Sequence, residues 1–124
     1  MESLIKQIKQ LNLCLEDEFF DFIKKYCSFT DDLELAGIYE NKDKVVIVIP
    51  RITNNLTMSI AIHEAGHLYD YYKVGKILES EDTALDWEFK FLFSKGEYEL
   101  INNRISEIIS NSDSLKYKTI IKRS

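Results

Sequence analysis

The sequence is poor in histidine, cysteine, proline and glycine. Its 124 residues include two His, two Cys, one Pro and four Gly. With Pro50 as the single proline and the glycines scattered, no linker or low-complexity stretch stands out. One domain spanning 1–124 is therefore expected. Cys14 and Cys27 are too few for a disulfide framework, and each sits among apolar residues. Both are expected as buried, inert thiols. No apolar run approaches the ~20 residues that a membrane helix needs. The start, Met1-Glu2-Ser3-Leu4-Ile5-Lys6, lacks a signal-peptide layout, so a cytoplasmic location is expected. An excess of basic charge is also missing, with 16 Lys+Arg against 21 Asp+Glu and a net charge of −5. That argues against a dedicated nucleic-acid binder. The one basic cluster, Lys116, Lys118, Lys122 and Arg123, reads as a solvated tail.

What is present is the material of a globular core. Hydrophobic residues make up 45% of the chain, and seven Tyr and seven Phe argue against disorder. The N-terminal part, 1–30, reads as two helical patterns. Leu4, Ile8, Leu11 and Leu15 share one face, and Phe19, Phe22, Ile23 and Tyr26 share another. Residues 33–50 read as a β-hairpin. A partly alternating strand over 33–40 leads through the turn-like Asn41-Lys42-Asp43-Lys44 to the β-branched run Val45–Ile49, which Pro50 ends. The second strand looks covered on both faces, and Gly37 suggests a bulge.

Helical periodicity returns over 56–74. Met58, Ile62, Ala65, Tyr69 and Tyr72 form the expected core stripe, and Gly75 suits the residue just past the helix end. A further helix is predicted over 80–94, with Ser80 as N-cap. A last helix and tail occupy 97–124. Tyr98, Ile101, Ile105, Ile108 and Ile109 form the apolar face of that helix, and 115–121 fits either a strand or a short helix.

Both histidines fall within His63-Glu64-Ala65-Gly66-His67, an H-E-x-x-H pattern inside the 56–74 helix. Two His at i and i+4 leave one helix face together, so their imidazoles can grip one metal ion. Imidazole suits Zn²⁺, and a catalytic site keeps a position open for water. Glu64 is placed to act as general base on such a water. The bland alternative is two ordinary histidines beside a surface acid. Against it, the chain commits its only two His to this spacing.

A third ligand is required. Asp70 lies seven residues after His63, ~10 Å along a straight helix, too far for one ion to hold all three. It reads as a surface acid or as a group orienting an imidazole. The next helix offers Glu79, Glu81, Asp82, Asp86 and Glu88, of which most must be solvated. Glu81 or Asp82, at its start, can face back over the site, and Asp86 can stand behind them. Spacing alone does not choose.

These residues resemble the ImmA/IrrE family of zinc metallopeptidases. A Gly-containing strand, Ala36-Gly37-Ile38-Tyr39, and a second strand, 45–49, lead into His63-Glu64-Ala65-Gly66-His67. A later segment follows, Glu81-Asp82-Thr83-Ala84-Leu85-Asp86-Trp87-Glu88-Phe89-Lys90-Phe91-Leu92. Within it Glu81, Ala84, Trp87 and Phe91-Leu92 match the family's pattern. Leu85 stands where the family has Asn, Glu88 where it has a small residue, and no Pro follows Leu92. The resemblance covers about residues 35–95. It implies an α+β, zincin-like fold, with a small sheet packed on the 56–74 helix. It implies zinc held by His63, His67 and Glu81, with Glu64 as the base. It also implies hydrolysis of a peptide bond, as limited proteolysis of a regulatory protein such as a repressor. With no third His, any oxyanion donor must be another group, and Tyr71 and Tyr72 are near in sequence. Strand 45–49 is expected as the edge to which an extended substrate adds. The alternatives are a non-catalytic regulatory protein of a phage, mobile element or toxin–antitoxin pair, and a helical bundle with a chance motif.

Overall fold

A computed structural model describes residues 1–41, 44–110 and 122–123. The protein is α+β. Helices α1 (Glu2–Gln10) and α2 (Asp17–Tyr26) lead into strand β1 (Cys27–Thr30). A 3₁₀ turn, Leu33–Leu35, precedes β2 (Gly37–Asn41) and β3 (Lys44–Pro50). Three helices follow, α3 (Asn55–Val74), α4 (Asp82–Ser94) and α5 (Tyr98–Ser110), and a short strand β4 (Lys122–Arg123) comes last.

The sheet has the order β1-β3-β2-β4. β2 and β3 form the expected antiparallel hairpin, while β1 runs parallel to β3 and β4 parallel to β2. Several expectations need correction. The end of the 1–30 segment is a strand. The hairpin begins at Gly37, because 33–35 turns as 3₁₀, with the Asp32 side chain accepting a bond from the Glu34 N–H. Gly37 pairs in register with Val48, so there is no bulge there. β3 is bonded on both sides and is no free edge for a substrate. It is also covered on one face only: Val45, Ile47 and Ile49 are buried and Val46 is exposed. The tail at 115–121, including Lys116 and Lys118, lies outside the described residues.

α3 is the pillar of the fold. It packs against β3, α4, α2 and α1. A reciprocal capping box starts it: the Asn54 side chain accepts from the Thr57 N–H, and the Thr57 hydroxyl accepts from the Asn54 N–H. Gly75, in the left-handed region at φ 83°, ends it. The middle of α3 is not split into wet and dry faces. Every residue from Ala61 to Leu68 is buried. The predicted stripe through Met58, Ile62, Ala65, Tyr69 and Tyr72 is thus one wall of a helix covered all round. Tyr71 and Tyr72 turn toward α2, against Phe22 at 6.1 and 5.5 Å between ring centres. Their rings belong to the aromatic core.

Both cysteines are free thiols. Cys14 is buried, and Cys27 is half-buried where β1 leaves α2. Burial pushes the Cys27 thiol up to about 12, which fits an unreactive group.

Candidate metal centre

A close approach between α3 and α4 sets up the site. A Cβ placed on Gly66 would come within 2.8 Å of the Ala84 Cα. α3 and α4 therefore touch backbone to backbone where the H-E-x-x-H helix has glycine and α4 has a fully buried alanine. Ala84 lies three residues after Glu81. Contact at Gly66 thus brings the start of α4 over the His63–His67 face.

Glu81 is the N-cap residue of α4, so this helix begins one residue later than the sequence suggests. The Ser80 hydroxyl still accepts a bond from the Asp82 N–H at 3.2 Å. From this corner the Glu81 carboxylate reaches both imidazoles. Its Oε1 is 3.1 Å from His63 Nε2, and its Oε2 is 2.8 Å from His67 Nε2. The three ligand atoms all lie within 4.8 Å of one another. Donors at ~2.0–2.2 Å from a single ion can be at most about 4 Å apart, so a small closing movement suffices.

His67 Nε2 offers a test of fit. It is buried and close to Glu81, yet makes no hydrogen bond of proper alignment. A lone pair aimed at a shared point rather than along the N···O line produces such a contact. Two imidazoles and one carboxylate are also a donor set that suits Zn²⁺. The residues present fit a metal.

Glu64 is fully buried, beside these groups on α3. Of the other acids considered as ligands, none joins the cluster of described residues. Asp82 is exposed, and Asp86 is exposed and pairs with Lys90 at 3.0 Å across one turn of α4. Asp70 is half-buried further along α3.

Glu88 departs most from expectation. Read in sequence as one more solvated acid, it is buried, with 6% of its surface exposed. Its Oε1 accepts from His63 Nδ1 at 2.6 Å. Arg104 of α5 donates from Nε to both of its oxygens, at 3.0 and 3.3 Å. No spacing rule flagged it, because its neighbours are equally acidic. The available signal was its place seven residues after Glu81, two turns along the same face of α4.

The electrostatics follow from this crowd of carboxylates. Burial opposes a charge on His63, but hydrogen bonds to Glu81 and Glu88 and the charge of Glu64 outweigh it. They raise the imidazole to about 9. Burial likewise opposes ionisation of Glu81, but His63 and His67 hold its carboxyl well below the usual carboxylate range. Without a metal, a proton on His63 supplies the positive charge that the site requires.

A cavity of about 310 Å³ adjoins His63 and Glu88, walled largely by Leu33, Leu56, Ile60, Leu92 and Leu100. No helix among the described residues is long and apolar enough to cross a membrane. Comparison with protein-family models, with curated proteins and with solved structures gives no match.

Proposed function

We propose that the protein is a zinc-dependent metallopeptidase with a minimal zincin-like fold, cutting a peptide bond in a protein substrate. The observation that carries this reading is the convergence of His63, His67 and Glu81 beside the buried Glu64. Bound zinc would supply a Lewis acid that acidifies a water and polarises a carbonyl. His63, His67 and Glu81 would hold it. The Glu64 carboxylate would accept a proton at the start of the reaction and return it to the leaving amine. The apolar cavity beside His63 gives room for a substrate side chain, and a repressor-like regulatory protein remains the proposed partner.

A second reading is a regulatory protein that keeps this fold and uses the metal as a clamp. One observation favours it: His63, Glu64 and His67 are each at most 3% exposed. A site that admits a peptide must open from this state.

The two readings part on one experiment. The Glu64→Gln variant should keep stoichiometric zinc by elemental analysis and lose peptide hydrolysis, measured on an unfolded protein substrate or peptide library. Hydrolysis undiminished in a zinc-replete variant would remove Glu64 from its role. Zinc uptake without hydrolysis in the wild type would favour the clamp. A wild type that takes up no zinc would defeat both.

A further inference from the structure

Glu88 and Arg104 lie outside the ligand set, yet they are bonded to it. A buried ion pair such as theirs loses the hydration of two charges, and apolar side chains in its place are often no less stabilising. Burying it behind a candidate ligand calls for a reason. The geometry offers one. A neutral imidazole carries its hydrogen on one nitrogen only. A carboxylate can only accept, so the Glu88 oxygen at 2.6 Å keeps a hydrogen on His63 Nδ1. The lone pair is then left on Nε2, the nitrogen facing Glu81 and His67 Nε2.

We propose that Glu88, itself held by Arg104 of α5, is a positioning residue that fixes the tautomer and ring orientation of His63 for metal binding. The proposal rests on the metal-site reading above. α4 brackets the His63 ring, with Glu81 at one nitrogen and Glu88 at the other, seven residues and about 10 Å of helix apart. Arg104 fixes the plane of the Glu88 carboxylate by donating to both its oxygens. Its side chain is 13% exposed, so it too is largely shielded from water. Three helices thus meet at one imidazole. Among the described ion pairs, His67 has only the Glu81 contact, so the two ligands are not equivalent.

The test measures zinc affinity by competition with a chromophoric chelator, and the visible spectrum of the cobalt-substituted protein. The chains compared are wild type, Glu88→Ala, Glu88→Gln, Arg104→Ala and the double alanine variant, each checked for a cooperative melt. Glu88→Ala should weaken zinc binding by roughly 10- to 100-fold and alter the cobalt spectrum. Glu88→Gln keeps an oxygen that can accept from Nδ1, so it should recover much of the affinity and the wild-type spectrum. It also decides the matter if the alanine variant fails to fold. Arg104→Ala should weaken binding less, and add little to Glu88→Ala. Wild-type affinity and spectrum in Glu88→Ala would overturn the proposal while leaving the metal site standing. An Arg104→Ala variant without effect would overturn the part assigned to Arg104. A wild type that binds neither zinc nor cobalt would overturn the metal-site reading, and this proposal with it.

Discussion

α4 touches a helix on either side, and the two contacts are opposites. Against α3 it closes to backbone distance through Gly66 and Ala84, among buried side chains such as Ile62, Ala65 and Trp87. Against α5 the contact is thin. Ile101 is the one buried residue of α5, while Tyr98 and Ile105 are 62% and 43% exposed. The first contact is built from small residues, with the Glu81 and Glu88 carboxylates beside it on the His63 ring. The second adds the Arg104–Glu88 pair, 3.0 Å apart, to a short apolar contact. Position at the site is thus secured by close packing on the α3 side and, where packing thins toward α5, by the Arg104–Glu88 pair.

The largest effect should come from filling the close approach. Gly66→Ala gains helix propensity, worth about 1 kcal/mol. Its Cβ, however, meets α4 backbone, which cannot rotate away as a side chain could. We expect a net loss of about 3 kcal/mol in urea unfolding of the metal-free protein. Zinc affinity should fall with it, since a displaced α4 carries Glu81 away. A stable variant with full zinc affinity would mean that α4 is not seated by this contact.

A milder way to loosen the same contact is alkali. His63, ordinarily titrating near 6.5, is raised to about 9 in the fold. Protonated His63 therefore favours the metal-free fold. That contribution is full below about pH 6.5 and is lost as pH rises through about 9. Glu81 is shifted the other way, so its contribution is present above its ordinary value near 4.5 and fades as pH falls below that. Urea unfolding in EDTA should show greatest stability from the site near pH 5–6. Zinc binding displaces the His63 proton, so zinc affinity should rise over the same interval. A flat stability profile from pH 5.5 to 9 would show that His63 is not clasped by acids in solution.

On the α5 side the main apolar anchor is Ile101. Truncation of Ile101 to Ala should cost about 2 kcal/mol, at the low end for a buried isoleucine, because a thin contact can collapse into the space. Thermal melts would measure it. Zinc affinity should drop only modestly, through looser seating of Arg104.

The same asymmetry governs how much could be read from sequence. The α3 side was legible. His63 and His67 are local, four residues apart, and Gly75 past the helix end is a short-range signal. Glu81 came from resemblance, since Asp82 fitted the spacing as well. What separates the two is the helix start: Glu81 is the N-cap and points back, whereas Asp82 is already on the exposed side. β1 escaped notice because Cys-Ser-Phe-Thr is four residues long, follows α2 directly, and gains its partner twenty residues later. That partner is also why β3 is central rather than an edge. Glu88 and Arg104 escaped because each is ordinary by itself. Only tertiary contact distinguishes an acid on His63 from its solvated neighbours.

The smallest effect tests whether the predicted apolar face of α5 is a core face at all. The spacing of Tyr98, Ile101, Ile105, Ile108 and Ile109 fits one helical stripe, and the structure buries only Ile101 of it. Ile105 is 43% exposed, so replacing it removes little area from shelter. Ile105→Ser should change stability by no more than about 0.5 kcal/mol, as is usual for surface positions. It should leave zinc affinity unchanged, whereas Arg104→Ala, one residue away in sequence, should not. A loss from Ile105→Ser comparable to that from Ile101→Ala would mean that α5 is buried along the whole stripe. The contrast between the two sides of α4 would then lie in their chemistry alone and not in their depth of packing.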